Sequence, residues 1–180
     1  MKRITLIFLL VTASLTACKE GTPGKTSTGV QQRQTSATTA IEQVHGKISR
    51  YNRLLSDGYK STNMTSLQEV ATLELAQKAY YHMAAISEGN ARMLSQLNKL
   101  EFVETNCPTP QKCRVMTRER WDFTYADILT GKTINEVKDY VYDVQYVLEK
   151  RQGRWLITEV NASGEERKEA PSWKELLKKK

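Results

Sequence analysis

The chain has 180 residues, of which 39% are hydrophobic and 26% charged, enough for one ordinary core and short of two. Its formal charge of +7 includes Lys2 and Arg3; without them 25 basic residues face 20 acidic ones, a milder +5. No basic run is interleaved with aromatics, which argues against a nucleic-acid partner, and the balance suits an anionic membrane surface, an envelope polymer or a solvated basic exterior.

Residues 1–17 have the layout of a secretory signal peptide: a positive start at Lys2 and Arg3, then an apolar run over 4–11 that is too short to span a bilayer. The run closes on Leu15-Thr16-Ala17-Cys18, which resembles the lipobox of bacterial lipoproteins. The resemblance implies cleavage before Cys18 and a diacylglycerol on its thiol. Each buried methylene contributes about 0.8 kcal/mol, so several acyl chains of palmitate length hold the protein permanently at the membrane. An ordinary signal peptide that happens to contain a cysteine is the alternative. Lys19, where an Asp would imply retention at the inner membrane, points to the periplasmic face of the outer membrane. Residues 18–36 are rich in Gly, Ser, Thr and Gln without apolar period and are expected to form a flexible tether. Within them Gly21-Thr22-Pro23-Gly24-Lys25-Thr26 lacks the spacing of a phosphate-binding loop.

Thr39-Ala40-Ile41-Glu42 has capping-box form, and Ile41, Val44, Ile48, Tyr51 and Leu55 follow at helical spacing. This predicts an amphipathic helix ended by Asp57-Gly58. Ser66-Leu67-Gln68-Glu69 predicts a second, more buried helix running to Ser87, with Glu88-Gly89-Asn90 as its stop. Tyr80-Tyr81-His82 on that helix is read as packing and surface rather than catalysis. His45 and His82 lack companion ligands at metal spacing, so neither a metal nor another cofactor is expected.

A short turn over residues 91–96 is expected to lead into a first strand over 97–106. Pro108 and Pro110 make residues 107–113 a loop, since proline cannot serve a central ladder. With Cys18 assigned to lipid, Cys107 and Cys113 remain as a disulfide pair in a secreted chain; the alternative, a redox pair, lacks the Cys-x-x-Cys spacing. From Cys113 onward the period is two. Val115, Thr117, Glu119, Trp121, Phe123 and Tyr125 share one face of a strand, with Arg114, Met116, Arg118, Arg120 and Asp122 on the other. A turn at Thr130-Gly131-Lys132 precedes a strand carrying Tyr140, Tyr142, Val144, Tyr146 and Leu148 on one side. Gln152-Gly153 turns into a last strand from Arg154, and the meander makes sequence neighbours spatial neighbours. The expected fold is α+β: over residues 37–162, N-terminal helices pack on a strongly curved antiparallel sheet.

The run from Glu119 to Tyr125, the Thr130-Gly131 turn, Tyr142 to Leu148 and Gly153-Arg154-Trp155-Leu156-Ile157 resemble the C-terminal half of cone-shaped, cystatin-like domains of the nuclear transport factor 2-like superfamily. The subgroup most similar contains the terminal domain of a plastid division protein and its bacterial relatives. That resemblance implies a cone whose inner face bears Glu119, Trp121, Phe123, Tyr125, Tyr140, Tyr142 and Tyr146, with His82 nearby. Enzymatic members place an Asp with a His or Tyr in the cone mouth, and no such set is matched here, so a non-enzymatic role is expected. Residues 163–180 form a charged tail in which Pro171, Trp173, Leu176 and Leu177 suggest a short amphipathic helix. Lys178, Lys179 and Lys180 then offer a contact with anionic lipid or an envelope polymer, against the blander reading of a solvated or self-packed end. The expected function is a lipid-anchored, non-catalytic binding or assembly module of the bacterial envelope, meeting a protein partner, peptide or small apolar ligand on its aromatic face. The rivals are a small periplasmic hydrolase or isomerase with Glu119 as general base beside His82 or Tyr125, and an adaptor of a secretion or conjugation apparatus.

Overall fold

A computed structural model describes the backbone of residues 28–164 and the side chains of residues 38–164. The signal peptide with Cys18, and the tail with Lys178, Lys179 and Lys180, lie outside the described residues. Two helices precede a four-stranded antiparallel sheet in the order β1-β2-β3-β4: α1 Thr28–Ser61, α2 Leu73–Glu88, β1 Ala91–Thr109, β2 Lys112–Asp127, β3 Thr133–Arg151 and β4 Arg154–Gly164. This is the α+β arrangement expected from the sequence. No helix among the described residues is long and apolar enough to cross a membrane.

Alternation decides which side of the sheet is covered. In β2 the side chains of Val115, Thr117, Glu119 and Trp121 are buried while Arg114, Arg118 and Arg120 are exposed. The register sets Val115 opposite Tyr146, Thr117 opposite Val144 and Glu119 opposite Tyr142, so β3 continues the same inner face. Helix α1 covers that face with Val44, Ile48, Tyr51 and Tyr59, whose spacings of four, three and eight residues keep one stripe turned inward. The outer face carries cross-strand ion pairs instead, Arg118 to Asp143 and Arg120 to Asp139 at 3.7 Å each and Lys112 to Glu149 at 3.5 Å. These are solvated pairs of small individual worth.

Several boundaries differ from the expectation, each for a physical reason. Helix α1 starts at Thr28, inside the stretch expected as tether, so the capping-box residues Thr39 and Glu42 lie in its interior. It also continues past Asp57-Gly58 to Ser61. Gly58 is buried, and a Cβ there would collide with Met64 Sδ, so this glycine serves close packing rather than termination. The second helix begins at Leu73, because Ser66 to Glu69 fall in a separate 3-10 turn, Thr65–Glu69. Between them the backbone is drawn to the sheet: Thr72 N–H donates to Ile157 O at 3.0 Å and Ile157 N–H to Val70 O at 2.8 Å. Those two bonds fasten the inter-helix segment to the outer edge of β4.

Residues 91–96 are strand rather than turn, with Ala91 and Met93 buried. The expected loop at 107–113 is a tight hairpin in which β1 runs on through Cys107 and Pro108. β1 is an edge strand and its pairing with β2 is irregular between Asn106 and Thr109, so the missing amide of Pro108 breaks no central ladder. The Gln152-Gly153 turn is as expected, with positive φ at both residues, 50° and 78°, the combination a two-residue hairpin favours. Among the described residues β4 pairs with β3 as far as Gly164 opposite Tyr142, and the first part of β3 is paired with β2 alone.

Cys107 and Cys113 are joined by a disulfide across the β1–β2 hairpin, Cα atoms 4.1 Å apart. Closing so short a loop removes little unfolded-state entropy. Reduction, or the double Cys107→Ser/Cys113→Ser change, is expected to lower stability by about 2 kcal/mol, read as a shift of the urea midpoint at unchanged slope.

Candidate binding cavity

Between α1 and the inner face of the sheet lies a cavity of about 370 Å³. Its walls come from every layer. α1 gives Tyr51, Asn52, Leu55 and Tyr59, α2 gives His82, and β1 gives Met93 and Ser95. β2 gives Glu119, Trp121, Phe123 and Tyr125, β3 gives Tyr142, Val144 and Tyr146, and β4 gives Val160 and Ala162. The size is at the lower end of sites that enclose a small molecule or a side chain. Rings dominate: Trp121 and Phe123 stack with centroids 6.0 Å apart, and Phe123 meets Tyr142 edge-on at 6.2 Å.

At the floor sits Glu119, only 3% exposed. Four uncharged donors converge on its carboxylate. Oε1 receives Asn52 Nδ2 at 3.1 Å, Thr117 Oγ1 at 2.9 Å and the Tyr146 hydroxyl at 2.7 Å, while Oε2 receives the Trp121 indole at 2.8 Å. Trp121 and Thr117 arrive by strand periodicity, two residues either side of Glu119 on one face. Asn52 arrives from α1, and its Oδ1 lies 3.0 Å from the Tyr146 hydroxyl, whose one proton is shared between that oxygen and Glu119 Oε1, linking helix and sheet. Three of these contacts crowd onto Oε1, while Oε2 receives the indole alone. Burial pushes the Tyr146 phenol well above its usual range, and the Glu119 charge adds to the effect. The same two causes push Tyr51 up to about 12.

The wall nearer solvent is built from hydroxyls and one imidazole. The Tyr59 hydroxyl lies 2.5 Å from His82 Nδ1 with the rings edge to face. Burial lowers the His82 pKa, which favours the neutral ring that accepts the phenol proton at Nδ1. Burial pushes Tyr125 up to about 12, with the neighbouring Tyr142 phenol a smaller cause, and raises Tyr142 as well. These phenols stay protonated and act as neutral hydrogen-bond donors.

Of the residues expected on the face, Glu119, Trp121, Phe123, Tyr125, Tyr142, Tyr146 and His82 all line the cavity. Tyr140 does not. It shares their side of β3, but its ring lies against Tyr142 at 4.5 Å and over Gly164, where any side chain would collide with its hydroxyl. Gly164, lacking a side chain, leaves the room that the Tyr140 ring takes up. The α1 contribution of Asn52 and Tyr59 and the β1 contribution of Met93 and Ser95 were missed in the sequence. Asn52 is a polar residue beside an apolar stripe, Tyr59 falls after the supposed helix stop, and Met93 and Ser95 sit in the supposed turn. His45 is elsewhere, stacked on Phe102 at 3.8 Å and bonded to Thr105 Oγ1 at 2.7 Å. Among the described residues no group of three or more His, Cys, Asp or Glu side chains is placed to hold a metal ion.

A fold of two helices on an open antiparallel sheet, enclosing an aromatic cavity, has solved counterparts. The intermembrane space region of chloroplast protein ARC6 superposes with a TM-score of 0.59 at 15% identity, over 69% of this chain and 96% of that one. At that identity the likeness is one of fold. No protein-family profile and no curated protein matches the chain.

Two outcomes follow for stability. Glu119→Gln replaces an acceptor by an amide group facing either the Trp121 N–H or the three donors on Oε1, and leaving buried donors unmatched costs about 1–3 kcal/mol in urea unfolding. Because burial lowers both His82 and His45 below 6.5, the unfolded chain binds protons at a higher pH than the folded one. The histidine contribution is therefore complete above pH 6.5 and is lost as pH falls from 6.5 through the lowered folded values. Urea midpoints recorded from pH 8 to pH 5, about the window in which imidazole titrates, are expected to drop less in His45→Gln/His82→Gln than in the wild type.

Proposed function

We propose that this protein is a lipid-anchored, non-catalytic binding module of the bacterial cell envelope, whose aromatic cavity takes an apolar side chain of a partner protein or peptide, or a small apolar ligand. One observation carries the reading: the cavity is walled by aromatic rings, while the single acid at its floor already receives four internal donors. A general base needs freedom to meet the substrate proton, and the contacts from Asn52, Thr117, Tyr146 and Trp121 tie both oxygens of Glu119 into the fold. That speaks against the hydrolase or isomerase reading. The neutral phenols of Tyr125 and Tyr142 and the Tyr59–His82 pair add a few directed polar groups to an apolar surface, the usual composition of a ligand site.

The finer assignments belong to the same proposal. The lipobox-like Leu15-Thr16-Ala17-Cys18 supports attachment through Cys18, and Lys19 supports the outer membrane. The helix-on-sheet cavity and the likeness to the chloroplast ARC6 region support a cone of the nuclear transport factor 2-like type. The test is capture of the intact protein from its own envelope, wild type against Ala162→Trp, which fills the cavity from the exposed end of β4, and against Cys18→Ser. The proposal expects labelled palmitate in all but Cys18→Ser, and a bound component lost in Ala162→Trp. A component retained by Ala162→Trp removes the cavity from the account, and palmitate absent from the wild type removes the anchor.

A further inference from the structure

The aromatic cavity is a negative enclave in a positive chain. The sequence carries a formal charge of +7, yet no lysine or arginine lines the cavity, and the one ionised group on its wall is Glu119. His82 adds no compensating charge, because burial lowers its pKa and favours the neutral ring. Every partner of the Glu119 carboxylate is itself neutral: Asn52, Thr117, Tyr146 and Trp121. Arg118 and Arg120, its neighbours but one along the backbone's two directions, stand on the other face of β2 and are ion-paired with Asp143 and Asp139. Buried charges are ordinarily matched by an opposite charge, and the fold supplies none here. The consequence reaches the wall. Burial is the main cause that pushes up the phenols of Tyr51 and Tyr146, and the Glu119 charge is the next.

The rest of the wall decides which cation fits. Tyr59, Trp121, Phe123, Tyr125 and Tyr142 line the same space, and the faces of such rings are weakly negative themselves. Trp121, Phe123 and Tyr142 follow one another at centroid distances of 6.0 and 6.2 Å. Phe123, Tyr125 and Tyr142 are half-buried and meet a ligand first, whereas Glu119 is covered. A metal ion needs several oxygen ligands, and a primary ammonium needs an acceptor for each N–H. This wall offers neither, since both oxygens of its only carboxylate are held by the fold. A quaternary ammonium has no N–H to satisfy and spreads its charge over methyl groups. It can lie against ring faces and be drawn by Glu119 across the low-dielectric space without touching the carboxylate.

We propose that the cavity takes a quaternary ammonium group, its methyls against Phe123, Tyr125 and Tyr142 and its charge balanced by Glu119. This rests on the reading of the cavity as a ligand site and adds a charge requirement to it: the occupant offers an apolar surface that is also cationic. A neutral group of the same shape fills the space and leaves the carboxylate unbalanced.

The experiment compares two probes that differ only in that charge, choline and 3,3-dimethylbutan-1-ol, which has carbon in place of the nitrogen. Each is titrated into the full chain, labelled with nitrogen-15 and held in a non-ionic detergent, while the Trp121 indole N–H resonance, assigned through Trp121→Phe, is followed. Choline is expected to give a saturable shift with a Kd at least about tenfold below that of the alcohol. Glu119→Gln should bring the two Kd values within about twofold while the alcohol still binds, and Phe123→Leu should weaken choline more than the alcohol. The wild-type comparison needs no substitution, so it decides the matter even where Glu119→Gln does not fold. Equal or tighter binding of the alcohol overturns the charge requirement and leaves the apolar-ligand reading standing. No shift with either probe overturns the ammonium site, and the capture experiment with Ala162→Trp then judges the ligand-site reading separately.

Discussion

The structure turns on one buried carboxylate. Glu119 is fixed by donors from three elements, Asn52 on α1, Thr117 and Trp121 on β2, and Tyr146 on β3. Hydrophobic burial would press α1 against the sheet in many rotations and slides, since apolar contact has no direction. Hydrogen bonds of about 3 Å to one carboxylate do have direction. The ring of Asn52, Tyr146 and Glu119 therefore sets where α1 lies over β2 and β3, and with it the height of the cavity roof formed by Tyr51 and Tyr59. An apolar replacement of the whole group would keep the burial and lose that selection.

How much of this was legible in the sequence varies with the range of the interaction that decides it. The period-two patterning of β2 and β3 placed Glu119, Trp121, Phe123, Tyr125, Tyr142 and Tyr146 on one inward face, because a strand's faces depend only on residue parity. Boundaries were misplaced wherever a residue with a strong local meaning served a tertiary purpose. Gly58 looks like a helix stop and is a packing glycine under Met64. Ser66 with Glu69 looks like a helix start and is a separate turn, because the next residues are claimed by the edge of β4. Pro108 looks like a loop and sits on an edge strand that tolerates it. Tyr140 shares the parity of Tyr142 but lies in the room left by Gly164, which the pattern of β3 alone does not contain.

The helix partner of Glu119 was out of reach for the same reason. Asn52 is 67 positions from Glu119, and nothing local marks a polar residue on a helix as the partner of an acid on a strand. Once that pairing is seen, Glu119 changes meaning, from a lone acid among rings and hence a candidate base, to a structural acceptor. It follows that the conservative change to glutamine reports on folding before it reports on chemistry. Probing the cavity itself calls for positions such as Ala162 that no internal bond depends on.

The first half of β3 has its own consequence. Among the described residues β4 pairs with β3 as far as Gly164 opposite Tyr142, and before that point β3 is paired with β2 alone; an extended run of that kind is the sort of edge onto which another chain can zip. That stretch is guarded by exposed Glu136, Lys138 and Asp139, and Asp139, with φ of 53°, kinks the strand where its register to β2 slips. Charge and kink together spoil a flat run of pairing.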